Sequence, residues 1–273
     1  MNFEYFDIHS HLYFSSFDVD REAEIAKIKE AKIGAISIGI DFESSQKAIS
    51  LSEGHENLFA SVGQHPGDIF ADAVFDSRLE SIASDEKVLA IGECGLDYFR
   101  LFYGDYERKP VQKKIFQDHI DLALKLDKPM MLHVRPSNGT MDAYKDALEI
   151  LENQFKVSGD KLRGNVHFFV GSVEILKRFL ALGFTVSFTG VITFTQDYDQ
   201  LIKYVPLDMV MSETDTPFVA PVPHRGGRNS PLYIPEVIKR IADIRGENFE
   251  DVKIALCNNA LRCFMPVAPK PLL

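Results

Sequence analysis

Residues 5–41 read YFDIHSHLYFSSFDVDREAEIAKIKEAKIGAISIGID. Two β-rich apolar runs, 5–11 and 33–41, enclose a polar stretch, 20–31, in which Ile25 and Ile28 stand three apart as on one face of a helix. The alternation continues along the chain. Six more short runs follow at 58–65, 88–93, 129–133, 165–169, 184–188 and 208–213, each of strand length. Between them, residues 112–126 place Ile115, Phe116, Ile120, Ala123 and Leu124 on one helical stripe, and residues 141–155 and 173–182 read the same way. Eight strands interleaved with helices, several apolar at nearly every position, predict an α/β fold with a parallel sheet covered by helices. The count and the length fit a closed (β/α)8 barrel of TIM type, formed as a single domain over residues 1–273. No Pro/Gly linker or internal repeat breaks it. A doubly wound sheet is the alternative.

Composition sets outer limits. With 45% hydrophobic and 26% charged residues among 273, the chain is ordinary globular material with enough apolar side chains for a sizeable core. The formal net charge of -10 excludes a broad electrostatic glue for nucleic acid or acidic membranes, so a polyanionic substrate needs local cations or metal ions. Cys94, Cys257 and Cys263 are odd in number and form no CxxC pair, which argues against a disulfide framework and predicts a cytoplasmic location. Residues 1–12 lack the basic flank and apolar stretch of a signal peptide, and no run of ~20 apolar residues occurs, so no membrane association is expected.

In a barrel of this kind functional groups sit at the C-terminal ends of strands. The predicted strands end in Asp7-Ile8-His9-Ser10-His11, Gly63-Gln64-His65, Gly92-Glu93, His133-Val134-Arg135, His167 and Glu213-Thr214-Asp215. Five of the eight histidines are there. One histidine near a strand end is ordinary core or loop; histidines and carboxylates together on six strand ends are not. His9 and His11, two apart on a strand, face the same side and can grip one metal. Neutral imidazole and ionised carboxylate suit a divalent ion, Glu93 can bridge two such ions, and Asp215 closes the ring opposite His9 and His11.

These strings, with His65-Pro66, Cys94-Gly95-Leu96-Asp97-Tyr98, Phe188-Thr189-Gly190, Thr216-Pro217 and the 221–229 segment, resemble the TatD family of metal-dependent deoxyribonucleases, within the amidohydrolase-like hydrolases. The resemblance runs over most of residues 5–265. It implies that His9, His11, Glu93 and Asp215 hold one divalent ion and that Glu93, His133 and His167 hold a second, the ions being Mg, Mn or Zn. It further implies a 3′-5′ exodeoxyribonuclease acting on single-stranded DNA through a water activated between two metals. The chain departs from the family pattern at Tyr13, Phe168 and Val170, and altered substrate access is expected from Tyr13 and Phe168.

Asp215 is the natural group to orient the water or take its proton, and Glu93 and Asp215 are the catalytic candidates with His65. His65 is expected to hydrogen-bond the scissile phosphate or assist the leaving group, the alternative being that it merely shapes a turn. Arg135 faces the way His133 does and can clamp a phosphate bidentately, unless it serves a structural salt bridge. Arg225, in the His224–Asn229 loop behind the last strand, is a second substrate-binding candidate. Lys109, Lys113 and Lys114 read as a solvated helix face, Asp97 and Tyr98 as organisers of the loop after Glu93, and Glu213 as a partner of Arg225 or of a metal-binding histidine. The cysteines read as core, His55 as loop and His119 as helix surface. A monomer is expected. Two other functions compete: a hydrolase of a small cyclic amide, lactone or phosphoester, and a non-catalytic binding protein with a structural metal.

Overall fold

The computed structural model describes residues 3–101 and 105–265. Strands and helices alternate as β1 (Tyr5–Ser10), α1 (Arg21–Glu30), β2 (Ile33–Ile38), α2 (Phe42–Glu53), β3 (Leu58–Val62), α3 (Arg78–Ile82), β4 (Val88–Asp97), α4 (Arg108–Leu126), β5 (Met130–Arg135), α5 (Asp142–Ser158), β6 (Gly164–Val166), α6 (Val173–Ala181), β7 (Thr185–Phe188), α7 (Asp199–Tyr204), β8 (Val210–Ser212), α8 (Ile234–Arg245) and α9 (Phe249–Phe264). The eight strands form one sheet in chain order, and every neighbouring pair from β1 to β8 is parallel. The ends meet through a bridge between Ser10 and Thr216, with the amide of His11 donating to Thr216 O at 2.8 Å and that of Asp215 donating to His9 O at 2.9 Å. The result is a nearly closed (β/α)8 barrel. The strands are buried on both faces, which is why they read as continuous apolar runs.

Two apolar zones flank the strands. The larger cluster fills the layer between sheet and helices, where Leu132, Tyr144, Phe169 and Phe179 are among its buried members. The smaller one gathers residues near strand starts, including Phe6, Phe59, Met131 and Met211, against Ala260 and Phe264 of α9. The lower barrel is largely apolar, with a buried Asn165–Thr185–Ser187 hydrogen-bonded set on β6 and β7, and the ionisable interior groups gather at the C-terminal ends.

Several boundaries differ from the sequence reading for local reasons. β2 stops at Ile38, because Asp41 caps α2: its side chain accepts from the Ser44 amide at 2.7 Å while the Ser44 hydroxyl accepts from the Asp41 amide at 2.9 Å. β4 runs to Asp97 instead of ending at Glu93. β6 and β8 are three residues each, so His167, Glu213 and Asp215 lie just past their strands.

Candidate metal centre

The residues around Glu93 decide how the centre is built. Gly92 and Gly95 take φ values of +140° and +137°, and a Cβ on them would come 2.2 Å from the carbonyl oxygens of Met131 and His133. Only glycine lets β4 press this closely on β5. Between Ile91 and Cys94 the register slips, and Glu93 enters the barrel mouth. Opposite it, Asp215 adopts a left-handed φ of 56°, a conformation Asp tolerates better than most residues, with its amide tied to His9 O.

All six metal-ligand candidates converge there. His9 Nε2 is 3.5 Å from Glu93 Oε2 and 3.8 Å from Asp215 Oδ1, and His11 Nε2 is 3.6 Å from Asp215 Oδ1. On the other side, His133 Nδ1 lies 2.8 Å and His167 Nε2 3.7 Å from Glu93 Oε1. His9, His11 and Glu93 each bring one donor atom within 4.8 Å of the others, as do His9, His167 and Asp215, and Glu93, His133 and His167. Most of these separations are too long for hydrogen bonds, yet they suit two donors each about 2.1 Å from a shared ion.

The donor chemistry fits a divalent cation. Both ring nitrogens of the fully buried His9 lack a hydrogen-bond partner, and its ring stacks on that of His167 with centroids 3.6 Å apart. Such orphaned polar atoms are costly unless something else binds them. Burial opposes ionisation of Glu93, but the imidazoles of His65 and His9 beside it and the hydrogen bond from His133 outweigh it and hold the carboxyl well below its ordinary range. Burial likewise opposes ionisation of Asp215, and the close imidazoles of His11, His167 and His9 overcome it. His133 and His167 are raised, His167 to about 9, because Asp97, Glu93 and Glu213 outweigh their burial. Their protons balance the carboxylates, and a divalent cation can replace them.

Three of the four imidazoles, His11, His133 and His167, are braced from behind. His11 Nδ1 lies 3.1 Å from Ile38 O, which also accepts the Tyr13 hydroxyl at 2.8 Å. His133 Nε2 lies 3.1 Å from Asp97 Oδ2, and His167 Nδ1 lies 3.1 Å from Glu213 Oε2. A carboxylate or carbonyl behind a ligand imidazole sets its tautomer and orientation. Asp7 locks the seam of the barrel: Oδ1 accepts from the Thr214 amide at 2.9 Å and Oδ2 from the Thr214 hydroxyl at 2.5 Å.

The remaining candidates divide. His65 joins the centre, with Nε2 3.5 Å from Glu93 Oε1 and 3.3 Å from His133 Nδ1. Its Nδ1 accepts the Gly67 amide at 3.0 Å, and burial drives the ring down to about 3, so a neutral imidazole carries its proton on Nε2. That tautomer is a donor, although His65 also falls in a potential ligand triple with Asp97 and His133. Arg135 lines a cavity of about 800 Å³ over the centre, together with Phe168, while Tyr13 does not line it. Arg225 lies outside the lining, its guanidinium 3.7 Å over the Phe194 ring, and Arg228 of the same loop pairs with Asp20 at 2.6 Å. Glu213 thus serves His167 rather than Arg225. Lys109, Lys113 and Lys114 pair with Asp142, Asp146 and Asp118, Lys114 on the solvated face of α4 and Lys109 more covered.

Three expectations need correction. His119 is fully buried, with Nδ1 2.7 Å from Ile115 O and Nε2 accepting from the Gln64 amide at 3.0 Å, so it pins the loop that carries His65. Its position was legible: four beyond Ile115 and three beyond Phe116, it falls on the apolar stripe of α4. Asp97 does organise the segment after Glu93, its Oδ1 accepting the amides of Phe99 and Arg100, but it does so from within β4, on the face of Glu93, where Gly95 marks a close approach rather than a loop. Cys263 is half-buried, whereas Cys94 and Cys257 are buried.

A family model described as TatD related DNase matches residues 6–265. An uncharacterized metal-dependent hydrolase of Bacillus subtilis, YabD, is 33% identical over 263 residues, covering 95% of this chain and 98% of its own. The 3'-5' ssDNA/RNA exonuclease TatD of Cronobacter sakazakii is 31% identical over 271 residues, covering 95% and 97%. The crystal structure of the TatD homologue YJJV from Escherichia coli superposes with a TM-score of 0.83 at 26% identity, covering 97% of this chain and 99% of that one. With the imidazole–carboxylate centre at the mouth of the same barrel, these matches place the chain in the TatD family of metal-dependent hydrolases.

Proposed function

We propose that the protein is a 3′-5′ exodeoxyribonuclease that cleaves phosphodiester bonds of single-stranded DNA with two divalent ions, Mg, Mn or Zn. The observation that carries this is Glu93, whose two oxygens face different imidazoles, Oε2 toward His9 and Oε1 toward His133 and His167. The name of the Cronobacter sakazakii relative supports the substrate and polarity. His9, His11, Glu93 and Asp215 would hold one ion, and Glu93, His133 and His167 the other. When bound, such a pair neutralises charge on the phosphate oxygens and makes an attacking water more acidic.

The chain's own groups do the rest. Asp215, ionised and aimed into the mouth, orients the attacking water and accepts its proton on a carboxylate oxygen. His65 offers its Nε2–H to a phosphate oxygen as charge builds there. Arg135 holds the phosphodiester from the cavity wall. Incubation of purified protein with 3′-labelled single strands and Mg, Mn or Zn, beside a panel of lactones and cyclic amides, tests the reading. Release of mononucleotides from the 3′ end is expected, and turnover of the lactones or amides without nucleotide release would overturn it. Glu93→Ala should lower metal content and reduce cleavage by on the order of a thousandfold, since it removes a donor common to both ions. Wild-type rates in that variant would refute the bridging role.

A further inference from the structure

We infer that the turn of Phe99 and Arg100, beside Arg135, is a nucleotide-binding lip in which Phe99 stacks an unpaired base and the two guanidiniums take the adjoining phosphate. The inference rests on the nuclease reading above and explains how that centre selects an unpaired strand. Asp97 connects the lip to the chemistry. Fully buried, it sets Oδ2 3.1 Å from His133 Nε2, while Oδ1 accepts the amides of Phe99 at 3.0 Å and Arg100 at 3.3 Å. One carboxylate thus fixes the lip against the imidazole beside Glu93.

Phe99 is 48% exposed at the cavity wall, although the Arg135 guanidinium lies 3.9 Å from its ring centroid. A planar cation over one face leaves the other for a base, and every base has a face to stack. The two cations are also weakly paired, unlike Arg78, Arg178, Arg228 and Arg240, each of which meets a carboxylate at 3.0 Å or less. Arg100 has only Asp97 at 3.9 Å, and no carboxylate lies within ion-pair reach of Arg135 among the described residues. Both line the cavity of a chain whose net charge is -10. The carboxylate of Asp68 also lines it, 3.8 Å from His65 Nδ1 and on the His65 side. A base held in a duplex cannot reach Phe99 without being unstacked, which disfavours paired substrate.

The experiment compares the metal-loaded protein on a single-stranded oligonucleotide and on copies with an abasic tetrahydrofuran spacer at each of the two nucleotides flanking the scissile phosphate. For one spacer position, kcat/KM of the wild type should fall by about five- to a hundredfold, mostly through KM. Phe99→Ala should cleave intact and abasic strands alike, and Phe99→Trp should restore the discrimination, which a merely structural role would not produce. Arg100→Ala should lower the slope of log kcat/KM against log salt by about 0.7. Equal cleavage of all three strands by the wild type, or full discrimination retained by Phe99→Ala, overturns the lip and leaves the nuclease reading standing. No cleavage of any strand removes the nuclease reading and the lip with it.

Discussion

His119 illustrates how one side chain far from the reacting atoms bears on them. As a neutral ring with its proton on Nδ1, it satisfies both Ile115 O and the Gln64 amide, next to His65. A second proton on Nε2 would face the Gln64 N–H. Burial, only partly offset by the Ile115 carbonyl and Asp118, lowers its pKa to about 4, against 6.5 for a free histidine. The unfolded chain therefore takes up this proton first on acidification, and between those values stability falls as pH drops. Chemical denaturation at pH 7 and pH 4.5 should show the wild type losing about 2 kcal/mol more than His119→Gln. An identical acid response in both proteins would contradict a buried neutral His119.

At the scale of elements, β4 joins a strained strand to a functional one. The run from Gly92 to Asp97 aims Glu93, admits β5 at two glycines and ends on the carboxylate that braces His133. Gly95→Ala puts a methyl against the His133 carbonyl at a φ that alanine rarely adopts. It should cost at least about 2 kcal/mol by denaturant titration and reduce retained metal, because β5 must shift and carry His133 with it. An unaltered midpoint with full metal content would show that β5 does not depend on this contact. The helices were legible where apolar residues keep a stripe, as in α4 and α5. The serine-rich α2 was not, because its stability comes from the Asp41–Ser44 box and from packing on the sheet.

Taken whole, the molecule is an acidic barrel with a largely apolar base and a mouth rich in ionisable groups. Donors from strands far apart in sequence meet only when the barrel closes, so an ion held among them binds the folded state and not the unfolded one. Addition of Mn or Zn to chelator-treated protein at a hundred times its dissociation constant should stabilise it by about 2.7 kcal/mol, a rise in Tm of about 5–10 °C. Chelator should reverse it. An unchanged Tm across the titration would mean that the centre is not assembled as a metal site. No helix among the described residues is long and apolar enough to cross a membrane.

The order of the eight strands, the barrel and the identity of the imidazoles and carboxylates at its mouth were determined by sequence alone. Periodicity and strand-end residue types are local properties, and in a (β/α)8 barrel every C-terminal strand end faces one mouth. Tertiary structure alone decided which of the surrounding groups belong to that mouth. Arg225 and Arg135 are both cations near strand ends, yet the loop after Ser212 carries Arg225 away to Phe194 while β5 leaves Arg135 on the cavity wall. Asp97 and Glu213 became supports of His133 and His167 because closure of the sheet brings their oxygens within 3.1 Å of those rings. Such pairings across strands depend on register and on the close approach of β4 to β5, which no single segment encodes.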